Sequence, residues 1–162
     1  MGQSFADRGS DMRTYLAVVD ETEEAEIALR FAARRAAKTG GTVLVLALIE
    51  PAEFVQWGGV QATIEEEARQ RAEGLVASAS GTLFDEAGIR PSIQVRQGEP
   101  VQVIRELLAE NDSIAALVLG AAATGAPGPL VSYFAGTDAG KLPCPVMVIP
   151  GSLTREAIDR LS

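Results

Sequence analysis

The chain has 162 residues, 47% of them hydrophobic, and a formal net charge of −8 at pH 7. This is enough for one domain with its own core, without help from a disulfide or a metal. The negative charge opposes binding to nucleic acid. Because the sequence contains no histidine, a Ser-His-Asp triad, an imidazole base and histidine metal ligands are all excluded.

The cysteine content and the hydropathy predict a cytoplasmic protein that makes no membrane contact. The single cysteine, Cys144, has no partner for a disulfide within the chain. No apolar run reaches the roughly 18 residues that a membrane helix needs, and the first residues lack the pattern of a secretion signal.

Strand and helix patterns alternate from the start of the chain. Residues 1–13 mix Gly, Ser and charged residues without periodicity, which predicts a flexible tail. Residues 15–19 form an apolar run that Asp20 closes, as expected of a strand buried on both faces. Apolar residues at helical spacing between 27 and 36 then predict a helix that ends at Gly40-Gly41.

The middle of the chain repeats this alternation. Residues 42–49 predict a second buried strand, and the loop after it carries Phe54 and Trp57. These aromatic side chains either cover a bound base or pack as a satellite of the core. A long helix is expected from about residue 60 to 87.

The next strand is expected near the edge of the sheet. Residues 89–97 alternate in polarity, with Ile93 and Val95 expected to face inward. Gly98-Glu99-Pro100 then opens a helix with proline in its first turn.

The last third of the chain predicts two strands around a glycine-rich connection. Residues 114–119 are apolar and end at Gly120, and residues 146–149 are apolar between two prolines. A buried strand that passes through glycines into a helix directs N–H groups at one small volume, which suits a phosphate group. The remaining residues, 151–162, predict an extension with a short helix.

This alternation predicts an α/β fold. Right-handed β-α-β crossovers give an open, doubly wound parallel sheet with helices on both faces.

Several segments, in this order and at these spacings, resemble the universal stress protein family over residues 14–150. They are Val19-Asp20, Ile27-Ala28-Leu29, Gly98-Glu99-Pro100, Leu117-Val118-Leu119-Gly120, Gly136-Thr137 and residues 143–150. The resemblance implies a five-stranded sheet of order 3-2-1-4-5. It also implies a role in the stress response and binding of ATP, AMP or another adenine nucleotide, with or without Mg²⁺. Enzymatic activity is not expected beyond slow ATP hydrolysis.

The implied strand order leaves the apolar strand from Val146 to Ile149 at an open edge of the sheet. Unpaired edges favour association. Antiparallel pairing with the same strand of a second copy closes the edge by two-fold symmetry, and the resemblance likewise implies a homodimer through this strand.

The implied strand order also places a topological switch between the first and fourth strands, where open α/β sheets bind ligands. Asp20 and Gly120 end those strands and should face each other across one crevice. The resemblance implies that Asp20 contacts the ribose or a divalent ion and that the backbone of Leu48 meets adenine. The alternatives are a helix N-cap for Asp20, an ordinary turn glycine for Gly120 and a buried strand residue for Leu48.

Nucleotide-binding relatives carry a glycine loop after the fourth strand: Gly, two residues, Gly, nine residues, then Gly and Ser or Thr. Gly120 and Gly136-Thr137 match this form, but Ala123 stands at the second glycine and the loop is longer. Gly125 is the candidate replacement for that glycine. Ser132 is a further candidate for the anion site.

The departures from the motif keep a second hypothesis open, an interaction module of the same fold that binds no nucleotide. Pro127 and Pro129 remove two N–H donors from the loop. In that case Gly136 serves helix packing and the Thr137 hydroxyl bonds to the preceding turn.

Overall fold

The computed structural model of the protein describes residues 12–49 and 58–162, with side chains in the second range described from residue 65. The predicted tail up to residue 11 and the loop with Phe54 and Trp57 lie outside the described residues.

Within the described ranges, five parallel strands form one sheet. The strands are β1 (Thr14–Val19), β2 (Thr42–Ile49), β3 (Ser92–Gln97), β4 (Ile114–Ala121) and β5 (Val146–Pro150). Their order is β3-β2-β1-β4-β5, with every neighbouring pair parallel. The predicted α/β fold and its strand order are therefore confirmed.

Helices cover both faces of the sheet. They are α1 (Glu23–Thr39), α2 (Gly58–Ala87), α3 (Pro100–Glu110), α4 (Pro129–Ser132) and α5 (Arg155–Leu161). Helix α4 continues into a π-helical turn at Tyr133–Thr137, which a 3₁₀ turn at Ala139–Lys141 follows.

Two hydrophobic cores lie on the two faces of the sheet. The first, which α1, α2 and α5 cover, includes Ala17, Val45, Ala32, Leu83 and Ile158. The second, which α3, α4 and the π-helical turn cover, includes Leu16, Leu46, Ile104, Leu107 and Phe134. Strand β1 is buried at every residue, as its continuous apolar run predicts.

The prediction that Ile93 and Val95 face inward is wrong. Ile93 is 37% exposed and Val95 is 46% exposed. They pair in register with Val45 and Ala47, so they extend the first core's face of the sheet. Helix α2 packs over β2, and β3 is the outermost strand on that side, so its apolar side chains remain uncovered.

The C-terminal extension folds back on α1 through charged contacts. Arg34 forms an ion pair with Asp159 at 2.8 Å, and the Lys38 ammonium donates to the Asp159 carbonyl at 3.2 Å. Ile158, on the inner side of α5, is 1% exposed. Burial of Ile158 and the ion pair fix the extension to the domain.

A second charged cluster ties α2 to α1 and to α5. The Glu86 carboxylate on α2 forms ion pairs with Arg30 at 3.3 Å, Arg34 at 3.5 Å and Arg155 at 3.6 Å. The Glu86 side chain is only 16% exposed. Three guanidinium groups therefore compensate a mostly desolvated negative charge.

Candidate functional site

A cavity of about 540 Å³ opens at the carboxyl ends of β1, β2 and β4. Asp20 follows β1, Leu48 lies near the end of β2, and Gly120 lies near the end of β4; all three line the cavity. Small-molecule sites in proteins usually enclose about 300–1,000 Å³. The cavity thus has the size of a ligand site and lies at the switch point where ligands bind to open α/β sheets.

Helices and one loop complete the walls. The start of α1 contributes Thr22, Glu24 and Ala25, and the start of α3 contributes Glu99, Pro100 and Val101. Helix α2 contributes Ala68, Arg71, Ala72 and Leu75. The loop after β4 contributes Pro127 and Gly128, and α4 contributes Pro129 to Val131. Apolar residues near the strand ends thus line the cavity, and four acidic residues line it just before or at the starts of α1 and α3.

Asp20 stabilises the start of α1 indirectly. Thr22 is the N-cap residue, since its hydroxyl oxygen accepts from the Ala25 N–H at 3.2 Å. The Asp20 Oδ1 atom accepts from the Thr22 N–H at 2.8 Å and from the Thr22 hydroxyl. In the described part of the chain the other Asp20 oxygen accepts no hydrogen bond, so the exposed carboxylate keeps an oxygen for a ligand.

Gly120 lies where the first turn of α1 crosses the end of β4. A β-carbon at this position would overlap the carbonyl oxygen of Glu24. The absence of a side chain is therefore required by the approach of two backbone segments, whether or not a ligand is bound.

The loop after β4 closes on itself. The Ala122 N–H donates to the Pro127 carbonyl at 3.1 Å, and Gly125 has a φ of 75° between them. Gly125 is exposed and does not line the cavity, whereas Pro127, Gly128 and Pro129 do. The tip of the loop thus points away from the cavity and its prolines face it.

Ser132, Gly136 and Thr137 are exposed and lie outside the cavity lining. The long loop lets the helix begin at Pro129, beside the cavity, so Gly136-Thr137 reaches the end of the helical segment and not its start. Of the seven binding residues predicted from sequence, the structure brings Asp20, Leu48 and Gly120 together at the cavity.

Several of the residues that line the cavity could not be predicted from the sequence. Arg71 lies on the side of α2 that faces the cavity, and periodicity alone does not show which helix surface meets the crevice. Glu99 lines the cavity and caps α3, accepting from the Val101 and Gln102 N–H groups at 3.1 and 3.0 Å. The helix start that made Ser132 a candidate lies at Pro129, which follows Gly128 at the cavity.

Two further observations concern metals and membranes. The described ranges contain no group of three or more acidic, histidine or cysteine side chains arranged to hold a metal ion. Of the helices in the described part of the chain, none is long and apolar enough to span a bilayer.

Comparison with known proteins identifies the fold and the family. A family model described as the universal stress protein family matches residues 12–150. A comparison with curated protein sequences found no match.

Solved structures share the fold along most of their length. Universal stress protein UspA from Lactobacillus plantarum is 19% identical, with a TM-score of 0.68, over 85% of this chain and 97% of that one. An Archaeoglobus fulgidus universal stress protein in complex with dAMP is 24% identical, with a TM-score of 0.57, over 85% and 97%. An Arabidopsis thaliana family protein with AMP bound is 11% identical, with a TM-score of 0.55, over 85% and 91%.

Proposed function

We propose that this chain, which belongs to the universal stress protein family, binds an adenine nucleotide in the cavity between the ends of β1 and β4 and serves the stress response in the cytoplasm. The observation that carries the proposal is the open cavity of about 540 Å³ at the switch point of the sheet. The dAMP and AMP complexes of structures that share the fold support an adenine ligand.

The lining fits the two halves of a nucleoside. Leu48, Leu75 and Val101 offer apolar surface to a base, and the Leu48 main chain is our candidate for the contact with adenine. The Asp20 carboxylate lies at the mouth and has an oxygen to accept from ribose hydroxyls. Ligand pockets are usually lined by apolar side chains, with a few polar groups that fix the orientation of the ligand.

A cavity-filling variant tests the proposal. Ala68 on α2 is half-buried and lines the cavity, whereas Ala77 on the same helix is exposed and does not. We expect Ala68→Phe to abolish the heat of AMP binding in a calorimetric titration and Ala77→Phe to leave it unchanged. Binding that survives Ala68→Phe in a folded protein would place the ligand elsewhere.

The proposed role of the nucleotide is a bound signal and not a substrate. The cavity offers carboxylates and one guanidinium group among its described lining residues, and the sequence has no histidine to act as a base. We therefore expect at most slow release of phosphate from ATP, which a phosphate assay on the purified protein would measure.

We further propose a homodimer through β5. This strand is at an edge of the sheet, and its Val148 side chain is 38% exposed. An open apolar edge associates readily, and a two-fold axis would pair β5 with its copy.

The second candidate is a module of the same fold that binds no nucleotide. Pro127 and Pro129 at the cavity wall favour it, because neither offers an N–H group to a phosphate. The absence of any binding of adenosine, AMP or ATP in the calorimetric titration would support this candidate.

A further inference from the structure

We infer that the cavity selects an adenine ligand with no more than one phosphate over ATP, and that Arg71 is the residue that recognises this phosphate. The inference rests on the proposed function and adds the class of ligand that the site prefers.

The charge around the cavity opposes a triphosphate. Four carboxylate side chains line it, those of Asp20, Glu21, Glu24 and Glu99, against the single guanidinium of Arg71 among the described residues. Each additional phosphate brings negative charge close to these acidic residues, and like charges repel. A nucleoside or a monophosphate places the least charge in this field.

Three positions around the loop after β4 offer no N–H group to a phosphate tail. Pro127 and Pro129 lack an N–H group, and the Ala122 N–H is occupied by the Pro127 carbonyl at 3.1 Å. Loops that cradle several phosphates do so with successive free N–H groups. In this loop the two prolines and the bond that closes it interrupt such a series.

Arg71 is placed to hold one phosphate. It is exposed, lines the cavity from α2, and takes part in none of the ion pairs between described residues. A guanidinium group binds two oxygens of one phosphate through parallel hydrogen bonds. A single such group matches a monophosphate and leaves a β- and γ-phosphate uncompensated.

Calorimetric titrations of the full chain with adenosine, AMP and ATP test the preference, once in EDTA and once with excess Mg²⁺. We expect ATP to bind at least about tenfold more weakly than AMP in EDTA, and we expect this difference to become smaller with Mg²⁺. The magnesium arm is needed because Mg²⁺ compensates phosphate charge without any help from the protein.

Two arginines on α2 provide a test of the role of Arg71 and a matched control for it. We expect Arg71→Gln to weaken AMP binding about tenfold and to leave adenosine binding unchanged. Arg69→Gln, which removes the same charge from an exposed residue outside the cavity lining, should change neither. Unchanged adenosine binding serves as the control that the cavity is folded and open in both variants.

Two glutamates at the start of α1 test the repulsion. Glu21 lines the cavity and Glu23 does not, although both are exposed. Glu21→Gln should strengthen ATP binding several-fold, and Glu23→Gln should not.

The outcomes separate the inference from the function on which it rests. ATP binding as tight as AMP binding in EDTA, or AMP binding that is indifferent to Arg71→Gln, would overturn the inference while adenine binding stands. A protein that binds none of the three ligands would overturn the proposed function, and the inference with it.

Discussion

The carbonyl oxygen of Glu24 occupies the space that a β-carbon would need at Gly120. The first turn of α1 therefore rests directly on the end of β4. This contact holds Asp20, which follows β1, and Gly120, near the end of β4, on adjoining walls of the cavity before any ligand binds.

Replacing Gly120 should destabilise the fold. We expect Gly120→Ala to lower the free energy of unfolding by about 1–3 kcal/mol, since the added methyl group forces α1 away from β4. A methyl group added at Gly74 on α2 would meet no atom of the described residues within 4 Å, so Gly74→Ala should stabilise by about 0.5–1 kcal/mol through helix propensity. Urea unfolding measures both, and equal stability of Gly120→Ala and the unchanged protein would refute the contact.

The ion pairs of Glu86 should contribute more to the stability of the fold than an exposed neighbouring charge on α2 does. Glu86→Gln leaves Arg30, Arg34 and Arg155 without their shared carboxylate. We expect a loss of about 1–3 kcal/mol, between the values for exposed and buried ion pairs. Asp85→Asn, at an exposed neighbour, is the control and should stay within about 0.5 kcal/mol in the same urea titration.

The proposed dimer predicts a difference between the two edges of the sheet. Val148 on β5 and Val95 on β3 are both exposed, at 38% and 46%. We expect Val148→Lys to produce monomers in light scattering at micromolar concentration and Val95→Lys to leave dimers intact, because a buried charge opposes strand pairing. A monomeric unmodified protein, or dissociation by Val95→Lys instead, would contradict pairing through β5.

Cys144 should react slowly as long as the protein is folded. Burial raises the pKa of the Cys144 thiol above its ordinary value, so less thiolate is present near the ordinary thiol pKa of about 8.5. We expect alkylation by iodoacetamide at that pH to be several-fold slower than in denaturing urea. A rate that is the same in both would show that the thiol is accessible in the fold.

The sequence predicted the elements and sheet better than the details of single residues. Continuous apolar runs marked β1, β2 and β4 because strands buried on both faces need no polar side chains. The prediction for Ile93 and Val95 was wrong because alternation shows which residues share a face of the sheet but not whether a helix covers that face. The cover over β3 depends on where α2 packs, which is a tertiary property.

The site was harder to predict, for a similar reason. Asp20 and Thr22 are both good N-cap residues, and only the path of the chain after β1 decides that Thr22 caps α1. Counting residues from Gly120 pointed to Gly136-Thr137, but the longer loop moves the helix start to Pro129. The sequence could not predict that Arg71 lines the cavity, because the position of α2 beside the cavity depends on tertiary packing.

The most direct test of the account is the addition of AMP to isotopically labelled protein, followed by backbone amide NMR. We predict saturable shifts at Asp20, Leu48 and Gly120, with little change at Gly136 and Thr137. Spectra that do not change, or shifts confined to Gly136 and Thr137, would contradict a nucleotide site in the cavity between β1 and β4.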